Sequence, residues 1–241
     1  MTGDSQRKRF DGRHGDNLYP DSLELRFGDI ELKLEVPSGV WNPTPHGMLL
    51  GHVLAGMDFS GEHVLELGTG CGIHALVLAA RGARALTLTE IHEDILKNAA
   101  HNLQKHNVSC AVDWKVADWT QIDDEPCDTL VTNPPFAKSG KRYRRYYIDT
   151  LILDTHKLVR PGGRLMFVQS SMADIPRSIG LMEECGMQVE VLGESSGPFR
   201  PYYFEDPRFM KEMAAVPGAY TLVDGKHHER LIVLQGTLPG D

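Results

Sequence analysis

HVLELGTGCGIHALVLAARGARALTLTE, residues 63–90, passes from a short apolar stretch through a glycine cluster into a helical stretch, then into a second apolar stretch. Strand, turn, helix and strand in that order make a βαβ unit, in which the crossover is right-handed and the two strands are parallel. The alternation continues outward. HEDILKNAAHNLQKH (92–106) has helical apolar spacing, AVDWKVAD (111–118) and CDTLVTN (127–133) read as strands, and RYYIDTLILDTHKLV (145–159) reads as a helix ended by Pro161-Gly162-Gly163. RLMFVQSS (164–171), MQVEVLGES (187–195) and ERLIVLQGTL (229–238) supply three more strands, with a helix over IPRSIGLMEECG (175–186). The expected fold is a doubly wound α/β domain around a mainly parallel seven-stranded sheet with an antiparallel last strand.

The flanks are less regular. LELRFGDIELKLEV (23–36) alternates apolar and polar residues around Gly28-Asp29, the pattern of a β-hairpin. In GVWNPTPHGMLLGHVLAGM (39–57) the turn residues Asn42-Pro43 and Pro45 precede Met48, Leu49, Val53 and Leu54 at helical spacing, so a helix begins near His46. Residues 1–20 are polar and aperiodic and read as a flexible N-terminal arm, leaving 21–241 as a single domain. Residues 195–227, rich in aromatics and prolines, form a long connection between the last two strands and are expected to make a lid or cap.

Composition bounds the function. The 241 residues carry a formal net charge of −8, which disfavours a broad surface tracking nucleic-acid phosphates, although a local basic patch stays open. The four cysteines lie apart, without a Cys-x-x-Cys pair or metal-ligand spacing, so reduced thiols and no metal site are expected. No secretory h-region or membrane-length apolar run is found, and the expected location is cytoplasmic, with no membrane partner.

Chemistry gathers at the strand ends. Gly68, Gly70 and Gly72 follow a buried strand and precede a helix, where glycine permits a tight turn and close approach of a ligand to backbone N–H groups. Ile73 stands where a dinucleotide fingerprint requires glycine, which weighs against that class. Glu66 lies at the end of the first core strand. Glu90 ends the second, where an acid can accept both hydroxyls of a ribose, and Asp118 follows the third, placed to meet an adenine amine with Ile91 or Trp119 against the ring. VTNPPF (131–136) ends the fourth strand on two prolines, which fix φ and bring no N–H.

In order and spacing these residues resemble the class I S-adenosylmethionine-dependent methyltransferases, in the branch carrying Asn/Asp-Pro-Pro-Phe/Tyr/Trp after the fourth strand. The resemblance covers residues 36–170, and GVWNPTPHGMLLGHVL (39–54) looks like the segment preceding the core in the glutamine and small-domain methyltransferases. It implies a Rossmann-like fold and S-adenosyl-L-methionine as cofactor. The loop from Glu66 to Gly72, including Gly68, Thr69 and Gly70, would hold the methionyl and ribose portions, Glu90 the ribose hydroxyls, and Asp118 with its neighbours the adenine.

Beside such a donor, Asn133 and Pro134 offer two acceptors, an amide oxygen and a carbonyl. These hold an NH₂ group by its hydrogens and aim its lone pair, while Phe136 stacks on a planar amide or base. Positioning then replaces a strong base. KSGKRYRRYY (138–147) interleaves Lys138, Lys141, Arg142, Arg144 and Arg145 with Tyr143, Tyr146 and Tyr147, and Arg200, Tyr202 and Tyr203 supply a second wall for the substrate. With Phe199, Phe204 and Phe209 available to roof a pocket over Phe136, the expected reaction is N-methylation of a small molecule. Protein glutamine and RNA adenine remain as alternative acceptors. So do a lyase releasing methylthioadenosine and a non-catalytic donor-binding subunit.

Overall fold

The computed structural model describes residues 22–37, 39–40, 42–118, 122, 125–134, 145–205 and 207–240. The expected arm at 1–20, Trp119, Phe136 and the basic residues at 138–144 lie outside them. Ser22–Phe27 (β1) and Ile30–Glu35 (β2) pair antiparallel, with Phe27 opposite Ile30 across Gly28-Asp29. Gly28 takes φ +62°, as a two-residue hairpin loop with glycine in first place requires. Helix Pro45–Ala55 (α1) starts at Thr44, whose hydroxyl accepts a hydrogen bond from Gly47 N, and proline occupies its first turn, where no amide hydrogen is needed.

The regular part follows the expected order: His63–Leu67 (β3), Ile73–Ala80 (α2), Ala85–Glu90 (β4), Glu93–Lys105 (α3) and Ala111–Val116 (β5). Cys127–Thr132 (β6), Tyr146–Leu158 (α4), Val159–Ser170 (β7), Ile175–Glu184 (α5) and Gln188–Pro198 (β8) come next. A 3-10 turn at Pro201–Glu205, helix Pro207–Met213 (α6) and strand Thr221–Val223 (β9) lead into Lys226–Thr237 (β10). The sheet order is β5-β4-β3-β6-β7-β10-β8, with β9 added on β10. Strands β3 to β7 pair in parallel, and β10 lies antiparallel between β7 and β8. The expected seven-strand path is present, and the chain reverses its direction of winding between β3 and β6, where doubly wound sheets open a crevice.

Alternation along the strands feeds two cores. Val64, Val131, Met166, Val168 and Val233 face α1, α2, α3 and the hairpin, whereas Leu65, Leu130, Leu165, Phe167, Ile232 and Leu234 face α4 and α5. Both faces of the central strands are therefore apolar, which is why they read as nearly continuous hydrophobic runs.

Two boundaries differ from expectation. Pro161-Gly162-Gly163 does not separate α4 from a strand; it sits inside β7 as an irregularity, because Cys127 pairs with Val159 but Thr129 already pairs with Arg164. Gly162 takes φ +72° there, and the proline needs no ladder bond where the register slips. Strands β8 and β10 also run into the expected 195–227 insert, pairing as far as Pro198 with His228. The remainder of the insert builds a third small core in which Phe199, Tyr203, Phe209, Met213 and Ala219 pack with Met172.

Several side chains of α3 tie the hairpin to the domain, among them Asn98, whose Nδ2 donates to Glu35 O at 3.1 Å, and the buried Asn102. Asn102 on α3 is fully buried; its Oδ1 accepts from Glu35 N at 2.9 Å, and its Nδ2 donates to Glu35 O and to Cys71 O, each at 2.9 Å. It thereby couples β2 to the glycine turn after β3. Replacing it with alanine leaves buried backbone groups unpaired, so Asn102→Ala should destabilise the protein by about 2–4 kcal/mol in urea unfolding at unchanged slope.

Candidate functional site

The carboxyl ends of β3, β4 and β6 meet at one edge and are stitched by threonines. Thr132 Oγ1 donates to Leu67 O at 2.9 Å, Thr69 N donates to Thr89 O at 2.9 Å, and Gly68 N donates to Thr89 Oγ1 at 3.3 Å. The three glycines of the turn all have positive φ but serve different ends. A methyl group on Gly72 would stand 2.9 Å from Leu103 Cδ1, so this glycine permits close packing on α3. At Gly68 and Gly70 (φ +72° and +56°) an added methyl would meet nothing within 4 Å. Those two positions face open space.

Glu90 closes the far side of that space. Its Oε2 accepts from Gly70 N at 3.3 Å and its Oε1 from Ile91 N at 2.9 Å, while burial raises its pKa against the pull of those backbone bonds. Ile91 beside it is 57 % exposed and offers an apolar face. Ala117 N donates to Glu90 O at 3.0 Å, which brings Asp118 to the same edge. The donor residues expected from the sequence, apart from Trp119, thus come together around the open glycines. Their chemistry fits S-adenosylmethionine: a backbone turn without side chains, a carboxylate beside it and an apolar surface for a flat ring.

Glu66 behaves differently from the other acids. It is 1 % exposed and turned inward, its Oε2 accepting from Thr69 Oγ1 at 2.8 Å and its Oε1 lying 3.1 Å from His74 Nδ1. The other ring nitrogen of His74 lies 3.0 Å from Gly47 O. Glu66 therefore supports the loop from behind, with both oxygens engaged. Asn133, at the end of β6, reaches the same place from the other side: a methyl group on Gly47 would stand 3.6 Å from Asn133 Nδ2 and 3.7 Å from His74 Nε2. Pro134 is buried. His74 is a buried link between the glycine turn and the first turn of α1.

The expected second wall is split. Arg200 Nη1 donates to Tyr202 Oη at 3.1 Å and Arg200 Nη2 lies 3.4 Å from His46 Nδ1, so these residues face the first turn of α1. Tyr203 is buried in the core of the cap, stacked on Phe209 and edge-on to Phe199 and Tyr202, and burial raises its pKa. Phe199 and Phe209 are buried in that same core, so two of the aromatics expected to roof a pocket are used within the cap. Tyr146 and Tyr147 begin α4 and pack on each other edge to face. Arg145, the last of the basic run, is held by Asp149 at 2.7 Å, by Ser178 Oγ at 3.0 Å and by the carbonyls of Ala173 and Asp174, which fixes the start of α4. Glu229, on β10 beside Arg200, was not singled out in the sequence, where it is one acid among polar residues at the start of an apolar strand.

Among the described residues, no helix is long and apolar enough to cross a membrane. Comparison with known proteins adds the chemistry. The chain is 25 % identical over 183 residues to a putative protein N5-glutamine methyltransferase of Methanocaldococcus jannaschii, an alignment covering 70 % of this chain and 91 % of that protein. It is 28 % identical over 134 residues to the tRNA1(Val) (adenine(37)-N6)-methyltransferase of Glaesserella parasuis, covering 51 % of this chain and 56 % of the relative. In fold it resembles the Thermus thermophilus 16S rRNA N2 G1207 methyltransferase, solved with AdoMet and guanosine, with a TM-score of 0.61 at 19 % identity, over 90 % of this chain and 50 % of that one. Residues 47–198 match the methyltransferase small domain family, and the protein belongs to this family of S-adenosylmethionine-dependent methyltransferases.

Proposed function

We propose that the protein methylates the nitrogen of a planar NH₂ group held at Asn133 and Pro134, and that the group is the side-chain amide of a protein glutamine. The observation that carries this is the position of Asn133, which ends β6 at the sheet edge against Gly47, across from glycines whose open faces suit the donor. S-adenosylmethionine, when bound, supplies a sulfonium methyl already activated toward nucleophiles. Gly68, Gly70 and Glu90 would hold it, and Asp118 and Ile91 would flank its adenine. The Asn133 amide oxygen and the Pro134 carbonyl each accept one N–H of the substrate, which leaves the nitrogen lone pair directed at the methyl carbon. The N–C bond forms as the C–S bond breaks, the electron pair leaves on sulfur, and the nitrogen releases a proton to solvent.

Two features favour glutamine over RNA adenine. The relative named as a putative protein N5-glutamine methyltransferase aligns along nearly its whole length, and a net charge of −8 opposes a polyanion over most of the surface. The small-metabolite acceptor expected from the sequence has no counterpart in the two aligned relatives, and its aromatic roof is partly spent in the core of the cap.

Donor and acceptor roles separate in two experiments. Gly70→Val sends a side chain into the open space from a backbone conformation that favours glycine, and Glu90→Ala removes a ribose acceptor; each should weaken S-adenosylmethionine binding about tenfold or more by calorimetry. Unchanged affinity in both would remove these residues from the donor site. Asn133→Ala should bind donor within about threefold of wild type yet lose about 10²-fold or more in single-turnover methyl transfer, because only orientation at the nitrogen is lost. With labelled donor and cell extract, digestion should yield N5-methylglutamine; label confined to methyladenine would replace glutamine by RNA as acceptor.

A further inference from the structure

A cavity of about 320 Å³ opens between α5, the cap and β10, separated from β3 and its glycine turn by β6 and β7. Ile175 and Pro176 at the start of α5, with Pro217, Gly218 and Tyr220 of the cap, give it apolar walls. Several of the polar groups around it are already used. Ser171 Oγ donates to Ala219 O at 2.7 Å and accepts from Arg230 N at 3.0 Å. In the first turn of α5, Pro176 has no N–H and Arg177 N donates to Asp174 Oδ1 at 3.2 Å. His228 and Arg230 differ from these. They stand two residues apart on β10, so their side chains share one face of the strand, and both line the cavity. Among the described residues no hydrogen bond reaches the His228 ring or the Arg230 guanidinium, and the carboxylate beside Arg230, Glu194, stays 3.9 Å from its Nε.

We propose that this cavity is a second ligand site, for a small apolar carboxylate: an aromatic or branched body lies between Pro176, Pro217 and Tyr220, and its carboxylate meets Arg230 and His228. Apolar walls with a few convergent polar groups are the make-up of small-molecule sites, and about 320 Å³ stands at the lower end of the roughly 300–1,000 Å³ that such sites span. That is room for a ligand of amino-acid size. The fork of a guanidinium matches the two oxygens of a carboxylate, and a neutral imidazole adds one N–H. A phosphate, with more oxygens and more charge, would find too few donors on the remaining walls. Glu194 already stands near Arg230, but both side chains are half-exposed, so their contact contributes little, whereas a ligand carboxylate also buries the body it carries. A free acid and the C-terminal residue of a polypeptide present this same chemistry. The site is independent of methyl transfer at Asn133 and of which acceptor is methylated.

The test titrates the full chain with phenylacetate and 4-methylpentanoate, using phenylacetamide, which keeps the ring without the charge, and acetate, which keeps the charge without the ring, as controls. Calorimetry should give at least one of the two acids a Kd of about 1 mM or tighter, about tenfold or more below either control. Saturating S-adenosylhomocysteine should change that Kd by less than about twofold, and the melting temperature should rise with acid concentration. Arg230→Gln should remove the preference for phenylacetate over phenylacetamide. Thr221→Phe, which fills the cavity from an exposed strand position, should abolish binding, and both variants should keep donor affinity within about twofold of wild type. No binding of either acid, equal binding of acid and amide, displacement by S-adenosylhomocysteine, or binding unchanged in both variants would each overturn the site. Should Arg230→Gln fail to fold, Thr221→Phe decides alone, and unchanged binding there overturns it. The peptide acetyl-Ala-Ala-Phe then separates the sources: binding of its free acid but not its C-terminal amide supports the site as one for a chain terminus, and exclusion of both while phenylacetate binds supports it as one for a free acid.

Discussion

A carboxylate cannot be kept at 1 % exposure unless its oxygens are satisfied, and the candidate site is arranged around the way Glu66 meets that condition. Thr69 takes one oxygen and thereby sets the curl of the glycine turn; His74 takes the other and passes on to the carbonyl of Gly47. A single buried chain, Thr69–Glu66–His74–Gly47, therefore fixes the donor turn and the first turn of α1 relative to each other. Asn133 sits against the end of that chain, and so its place relative to the glycine turn is set by bonds within the protein.

The periodic parts of the fold were legible in the sequence because their physics is local. The segments β3, α2, β4 and α3 carry apolar spacing and turn glycines that admit few alternatives, and the structure has them in the expected order. The irregularity in β7 was not legible, since Pro-Gly-Gly after a helix normally stops it and opens a loop, whereas here the pairing of Thr129 with Arg164 resumes the ladder beyond the slip. The aromatic cap was legible as a unit, but not in its inward packing: nothing local says whether Phe199, Tyr203 and Phe209 face a ligand or one another.

At the site the same division holds. Gly68, Gly70, Glu90, Ile91 and Asp118 follow strand ends at regular intervals, so topology alone brings them to one edge. Glu66 has the same sequence signature as Glu90 and points elsewhere, because its direction is set by Thr69 and by His74, eight residues on. Glu229 and His46 are 183 positions apart and meet only because β10 lies beside β7 and the first turn of α1 packs over both. Contacts of that kind leave no mark in a single sequence.

The place of β10 in the sheet has a consequence for how the protein is made. It is the last strand in chain order, yet it lies between β7 and β8, pairing with both along most of its length. During synthesis both neighbours must wait with open hydrogen-bonding edges until residues 226–237 leave the ribosome, and such edges recruit other strands. Because the strand that closes the sheet follows both of its neighbours in the chain, the β7–β10–β8 part of the sheet is completed in one late event. Chaperone occupancy of the nascent chain should accordingly persist until that event.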